Sequence, residues 1–279
     1  MLVNQDIEQL NEYLYCIKEC DSVNRYVVVG SDQAMLIDTG YGFADFRQLI
    51  KKITDKPLIT VLTHGHPDHG LGAYLFDEVW VHEKDYLRLL KDDNQETKTL
   101  AVNHRLKKMP ELINQMNPEV YNQKLIKQTT FRYFKEGDSF DLGGIVLKII
   151  EIPGHSYGSV ALYEETKGWL FTGDTLAHYN IWNQMDFVDS PRLSVLMATY
   201  KKLAQMQKIE EIYPAHGEKP IDRGIIDESI DGLKDLLTHY NEDEKIDTFM
   251  GIAYRHVYKH FILLYSKAHL EDALENGLE

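Results

Sequence analysis

The sequence predicts an α+β fold, and three observations on its 279 residues carry that reading. Short apolar runs with strand character recur between residues 13 and 37 and again between 131 and 172, separated by Gly, Asp, Ser and Pro turn signals. Helical apolar spacing appears between and after those runs. Apolar runs also end in His or Asp among turn-forming residues, at 63–70, 153–159, 173–175 and 214–217, so chemistry-bearing side chains gather where strands stop.

The chain opens with strands at 13–16, 26–29 and 34–37, the last running into Asp38-Thr39-Gly40. An aspartate there can accept hydrogen bonds from a neighbouring loop or orient a ligand histidine; a plain turn aspartate is the competing reading. Residues 43–53 have helical spacing, and the run Leu58-Ile59-Thr60-Val61-Leu62 reads as a buried strand. It delivers Thr63-His64-Gly65-His66-Pro67-Asp68-His69-Gly70, in which Gly65, Pro67 and Gly70 break regular structure. His64 and His66, two positions apart, share one side of an extended loop, while Asp68 and His69 lie on its return and face a second point. One such loop serves two metal ions, and neutral imidazole with carboxylate suits zinc or a neighbouring first-row metal.

Past this loop a helix is expected from Leu71, a strand at 79–81 and a helix carrying Tyr86, Leu87, Leu89 and Leu90. Residues 92–128 are polar, contain Met109-Pro110 and Asn117-Pro118, and read as a helical insertion or cap. Its Arg105, Lys107 and Lys108 are substrate contacts on one reading and a solvated face on the other. Strands follow at 131–134, 145–152, 160–163 and 169–172, with His155 and Asp174 in the loops after the second and the fourth. Ser190-Pro191 reads as the start of a helix whose apolar stripe includes Leu193, Leu196, Met197, Tyr200 and Leu203. A strand at 211–213 then leads to Pro214-Ala215-His216-Gly217. Beyond Pro220 the spacing of Ile226, Ile230, Leu233 and Leu237, and of Tyr254, Val257, Phe261 and Leu264, predicts helices, with His256 and His260 one turn apart. The expected organisation is a catalytic domain at 1–220, with its insertion at 92–128, and a C-terminal helical extension at 221–279.

The formal net charge of −14 opposes non-specific attraction to nucleic acid or an anionic membrane. Two cysteines, Cys16 and Cys20, are too few for a disulfide framework, and the first residues hold no apolar signal segment, so the expected address is cytoplasmic. No apolar run approaches the roughly 20 residues that span a bilayer. The partner these features leave is a small-molecule substrate, with a homodimer as the form to test.

Asp38 in L-I-D-T-G, the T-H-G-H-P-D-H run, His155 in P-G-H-S-Y-G-S, Asp174 in F-T-G-D-T and His216 in P-A-H-G together resemble the metallo-β-lactamase-fold superfamily, whose motifs take this order. The details look most like its glyoxalase-II-like and general hydrolase branch. The resemblance implies an αββα sandwich of two mixed sheets with helices outside and a dinuclear site at one edge. It implies that His64, His66 and His155 hold the first metal, that Asp68, His69 and His216 hold the second, and that Asp174 bridges them. The ions would be zinc, with manganese or iron as alternatives, and Asp38 would support the ligands from behind. His178, Tyr179 and Trp182 would line a substrate pocket, Tyr179 in the place of a phenol that stabilises an oxyanion in related lactonases; packing is the competing reading for all three. Antibiotic hydrolysis is disfavoured, because true β-lactamases that share H-x-H-x-D-H generally lack an aspartate like Asp174.

Two divalent ions lower the pKa of a shared water from about 15.7 to about 7. The expected reaction is attack of that metal-bound hydroxide on a thioester, lactone or related small-molecule ester, with Asp68 and Asp174 as the catalytic carboxylates. No G-x-S-x-G elbow offers a serine nucleophile. Two alternatives stay open. The tail A-H-L-E-D-A-L-E-N-G-L-E resembles the helical module of a branch that includes endoribonucleases, which the acidic balance opposes. Mononuclear-iron oxidation of sulfur compounds, as in persulfide dioxygenases, uses a similar subset of ligands.

Overall fold

A computed structural model describes residues 6–183, 185 and 189–278. The chain divides into two compact units, Met1–Ile149 and Ile150–Glu279.

The first unit is built on a seven-stranded sheet in chain order: β1 (Ile7–Gln9), β2 (Leu14–Glu19), β3 (Val23–Val29), β4 (Ala34–Ile37), β5 (Leu58–Val61), β6 (Glu78–His82) and β7 (Thr130–Phe134). β1 to β4 form an antiparallel meander, and β4 to β7 are parallel. Parallel strands need crossovers, and helices supply them. α1 (Arg47–Ile53) joins β4 to β5, and α2 (Pro67–Gly70) with a 3-10 turn at Leu71–Leu75 joins β5 to β6. α3 (Glu83–Asp92), α4 (Gln95–Lys108) and α5 (Pro118–Asn122) fill the long connection to β7. The loops leaving the carboxyl ends of β4 and β5 therefore sit side by side, the usual place for function in such sheets.

Two details differ from the sequence reading. α1 begins only at Arg47, where Asp45 accepts from the Arg47 amide. The turn after Gly70 is 3-10 rather than α-helical, and it lies close enough to Thr39 that a Cβ on Gly72 would come within 2.3 Å of the Thr39 carbonyl oxygen.

A buried ion pair fixes the loop beyond β4. Glu19 and Arg25 are fully buried with 3.7 Å between them, and the guanidinium lies 3.7 Å from the centre of the Phe46 ring. Glu19 also accepts from the amides of Tyr41 and Phe43. Desolvation raises the Glu19 pKa, against the pull of Arg25 and these amides. Removing either partner would strand a charge in the core, which costs several kcal/mol, about 3–5 by analogy with other buried pairs.

The hairpin of β8 (Ser139–Asp141) and β9 (Val146–Glu151) leads into the second unit. There β10 (Val160–Glu164) pairs antiparallel with β11 (Trp169–Gly173), and β11 pairs parallel with β13 (Glu211–Pro214), which takes β14 (Ile221–Asp222) at its edge. α6 (Leu193–Ala204) and α7 (Ile225–His239) bury Leu196, Met197, Tyr200, Leu203, Ile226, Leu233 and Leu236 in one cluster, each large aliphatic contributing about 1.5–3 kcal/mol. α6 starts at Leu193 with Arg192 at its cap, later than the Ser190-Pro191 signal suggests.

The C-terminal helical extension needs correction. α7 and α8 (Glu271–Asn276) are helices, but β15 (Glu244–Thr248), β16 (Gly251–Tyr258) and β17 (Phe261–Tyr265) form a sheet with β12 (Asn180–Trp182) in the order β12-β17-β16-β15. Tyr254, Val257, Phe261 and Leu264 do not share a helix; a turn through Lys259 at φ 53° reverses the chain between them. Phe261, Leu263 and Tyr265 point into one core cluster and Leu264, also buried, into another, so both faces of the strand are apolar and the two-residue period does not show in the sequence. Gly232 admits this sheet to α7: a Cβ there would come within 2.3 Å of the Phe261 ring. Among the described residues no helix is long and apolar enough to cross a membrane.

Candidate metal centre

In the first unit, β5 lies between β4 and β6 and delivers Thr63-His64 into a buried loop. Gly65 donates to Asp85 Oδ2 at 2.7 Å, and a Cβ at Gly65 would come within 2.2 Å of the Asp85 carbonyl oxygen, so the loop is seated where only glycine fits. The turn of α2 starts with Pro67 in the first helical position, and the backbone amides of His69 and Gly70 donate to the His66 carbonyl.

Asp38 organises this half. Its oxygens accept from the Thr63 amide at 2.7 Å, the Thr63 hydroxyl at 2.8 Å and His69 Nδ1 at 2.9 Å. Thr39 holds His69 from the other side, donating from its amide and its hydroxyl to the His69 carbonyl at 2.8 Å each. With Nδ1 donating to a carboxylate, the lone pair of His69 is on Nε2, which lies 3.7 Å from Asp68 Oδ1. Thr63 Oγ1 lies 3.1 Å from His64 Nδ1, and His64 Nε2 lies 3.1 Å from His66 Nδ1. His64, His66 and His69 are 1%, 8% and 0% exposed, too enclosed for surface histidines.

In the second unit, the register of the parallel pair β11 and β13 sets Gly173 beside Pro214, so the two strands stop together. Asp174 and His216 leave from that end, with His216 Nε2 3.3 Å from Asp174 Oδ2. His155 Nε2 approaches the same oxygen to 3.6 Å. His155 Nδ1 donates to the Trp182 carbonyl at 2.8 Å, which leaves the lone pair on Nε2. The Nε2 lone pair of His155 and the carboxylate oxygen it faces are both acceptors, a pairing that a cation reconciles. The donor set is therefore one that a divalent metal fits.

The remaining sequence candidates have identifiable neighbours. Tyr179 stacks on the His216 ring, centroids 5.7 Å apart, and is 42% exposed. Trp182 contributes its carbonyl to His155, while its ring meets Phe249 at 5.7 Å. His178 faces Glu218 at 3.6 Å and stacks on His260 at 4.7 Å. His256 is buried against Asp243 at 2.9 Å. The pair His256 and His260, expected one helical turn apart, is split between β16 and the turn after it.

Sequence reasoning missed Asp85, which seats Gly65, and Asn183, whose side-chain amide donates to the Gly154 carbonyl just before His155. Neither has a motif; Asn183 carries one faint signal, an amide residue near ligand-type neighbours.

The model of the metallo-β-lactamase superfamily matches residues 19–238, most of the chain. The chain therefore belongs to that superfamily, and its α+β architecture is the metallo-β-lactamase fold. It is an enzyme of the superfamily's hydrolase class. It is similar to the acyl-coenzyme A thioesterase MBLAC2 of Homo sapiens, 29% identical over 211 residues that cover 69% of this chain and 72% of that one. A probable metallo-hydrolase of Methanocaldococcus jannaschii is 28% identical over 223 residues, covering 76% and 93%. A metallo-β-lactamase family protein of Thermus thermophilus shares the fold with a TM-score of 0.61 at 20% identity, covering 85% of each chain.

Proposed function

We propose that this chain hydrolyses a thioester with two divalent metal ions, zinc in the first instance. The observation that carries the reading is Asp174 Oδ2 lying 3.6 Å from His155 Nε2 and 3.3 Å from His216 Nε2, one carboxylate within reach of both imidazoles. His64, His66 and His155 would hold one ion, Asp68, His69 and His216 the other, and Asp174 both. The likeness to a human acyl-coenzyme A thioesterase supports the thioester among ester-like substrates.

When bound, such ions supply an activated water and polarise the substrate carbonyl. The side chains do the rest. Asp38 and the Trp182 carbonyl fix the tautomers of His69 and His155 so that Nε2 points to the ligand position. Asp68, partly open to solvent, would take the proton of the attacking water and pass it to the departing thiolate. Tyr179, exposed and stacked on His216, offers a phenol to the developing oxyanion.

The test is metal analysis of the purified chain alongside thioester, lactone, phosphodiester and sulfatase substrates. Two metals per chain and thioester turnover are expected, and Asp174→Ala should lose metal and at least a thousandfold in turnover, of the order found on removing a main electrostatic group. One iron with oxygen uptake, or full activity in Asp174→Ala with two metals bound, overturns the reading.

A further inference from the structure

We propose that Arg105 and Lys108 on α4 form a shelf for the negatively charged part of the substrate, a thiol that carries several phosphates or carboxylates; this rests on the thioester reading above.

α4 is anchored by Ala101 and Val102, buried in one cluster with Cys20, Tyr41, Phe43 and Tyr121. Ala101, Arg105 and Lys108 recur at helical spacing, so the stripe that starts in this core continues into the two cations. The Arg105 guanidinium lies 5.8 Å from the centre of the Tyr41 ring, and Tyr41 stacks on Phe43 at 4.7 Å. The helix also packs on α2, the turn that holds Asp68 and His69. Arg105 therefore stands over Tyr41 on a helix that packs against the turn carrying Asp68 and His69.

The contact with Tyr41 accounts for Arg105 but not for the two lysines that follow it on the helix. The chain has 44 acidic and 30 basic residues, yet among the described residues Arg105, Lys107 and Lys108 form no ion pair with a carboxylate. The Arg105 Nε is buried without a hydrogen-bond partner. Crowded like charges on a helix destabilise it. Burial and the charges of Arg105, Lys108 and Lys107 hold His104 down to about 4, against the pull of Asp68, and burial with Arg105 lowers Lys108. His104 thus sits in a positive field that the Asp68 charge offsets only in part. A guanidinium beside an ammonium suits a phosphate or carboxylate bound through paired hydrogen bonds.

The test compares acetyl-coenzyme A with the uncharged S-phenyl thioacetate on the metal-loaded full chain. In an Arg105→Gln/Lys108→Gln variant the ratio of kcat/KM for the charged over the uncharged thioester should fall at least tenfold, through KM. Arg105→Lys/Lys108→Arg should recover most of it, and Lys52→Gln, an exposed cation on α1, should leave the ratio alone. Calorimetric binding of S-ethyl coenzyme A and S-ethylglutathione, thioethers that cannot be hydrolysed, should weaken tenfold in the Gln variant; the thioether that loses more identifies phosphates or carboxylates. A ratio and thioether affinities within twofold of the parent, in a variant with unchanged circular dichroism, overturn the shelf. If the parent hydrolyses no thioester, the thioester reading falls, and the thioether affinities alone decide the shelf.

Discussion

The Nδ1 of His155 lies 2.8 Å from the carbonyl oxygen of Trp182, and Trp182 ends a strand that pairs in parallel with Phe261–Tyr265. The C-terminal sheet thus orients His155, one of the proposed ligands. Asn183 tightens the link, donating its side-chain amide to Gly154 and its backbone amide to Leu264 at 3.0 Å.

Asn183→Leu removes the donor to the Gly154 carbonyl and leaves that carbonyl buried. The expected loss is about 1–3 kcal/mol in stability and roughly 10–100-fold in metal affinity. Urea unfolding and competition with a chromophoric chelator measure the two; an unchanged metal affinity would separate the C-terminal sheet from the site.

Asp38 has φ 64°, a left-handed conformation that Asn tolerates and Ala does not. Asp38→Asn should fold but present an amide donor to His69, moving the ring proton to Nε2 and lowering metal affinity roughly 10–100-fold. Asp38→Ala should lose the same affinity and melt below Asp38→Asn, by a further ~1–2 kcal/mol of backbone strain. Equal melting temperatures for the two would contradict the strain argument.

His104 gives the metal-free protein an acid-sensitive term. Its pKa is 6.5 when unperturbed and about 4 in the fold, so between those values the unfolded chain binds the proton that the folded chain refuses. The stability it contributes is complete above about 6.5 and is lost as pH falls toward about 4. His104→Gln should flatten the difference in urea midpoint between pH 7.5 and pH 4.5; a slope as steep as the parent's would assign the acid sensitivity elsewhere.

Cys20 is buried, and burial reinforced by the Glu19 charge pushes its thiol up to about 12. Native protein should leave Ellman's reagent unreacted at pH 8, because Cys20 holds almost no thiolate and Cys16 is fully buried, while both should react after denaturation. Rapid native labelling of either would place these thiols at an open surface.

What the sequence made legible follows from where the signal is local. His64, His66, Asp68 and His69 stand within one loop after an unmistakable apolar run, and Asp38 and Asp174 each follow a strand with a Gly within two positions, so residue type and position coincide. The C-terminal sheet was not legible because Phe261 to Tyr265 is apolar at every position, which hides a two-residue period, and because its turn through Lys259 uses no Gly or Asn. Asp85 and Asn183 escaped for another reason. Their work is done on backbone groups of residues 20 and 29 positions away, a relation no spacing rule encodes.

The pairing of Asn180 with Ile262 also orders events during biosynthesis. His155, Asp174 and His216 all emerge from the ribosome before the strand that steadies the Trp182 carbonyl has been made. Firm capture of an ion at the proposed site would consequently wait until residues 261–265 have been translated, and a product stalled before them would carry these side chains without the strand that steadies His155.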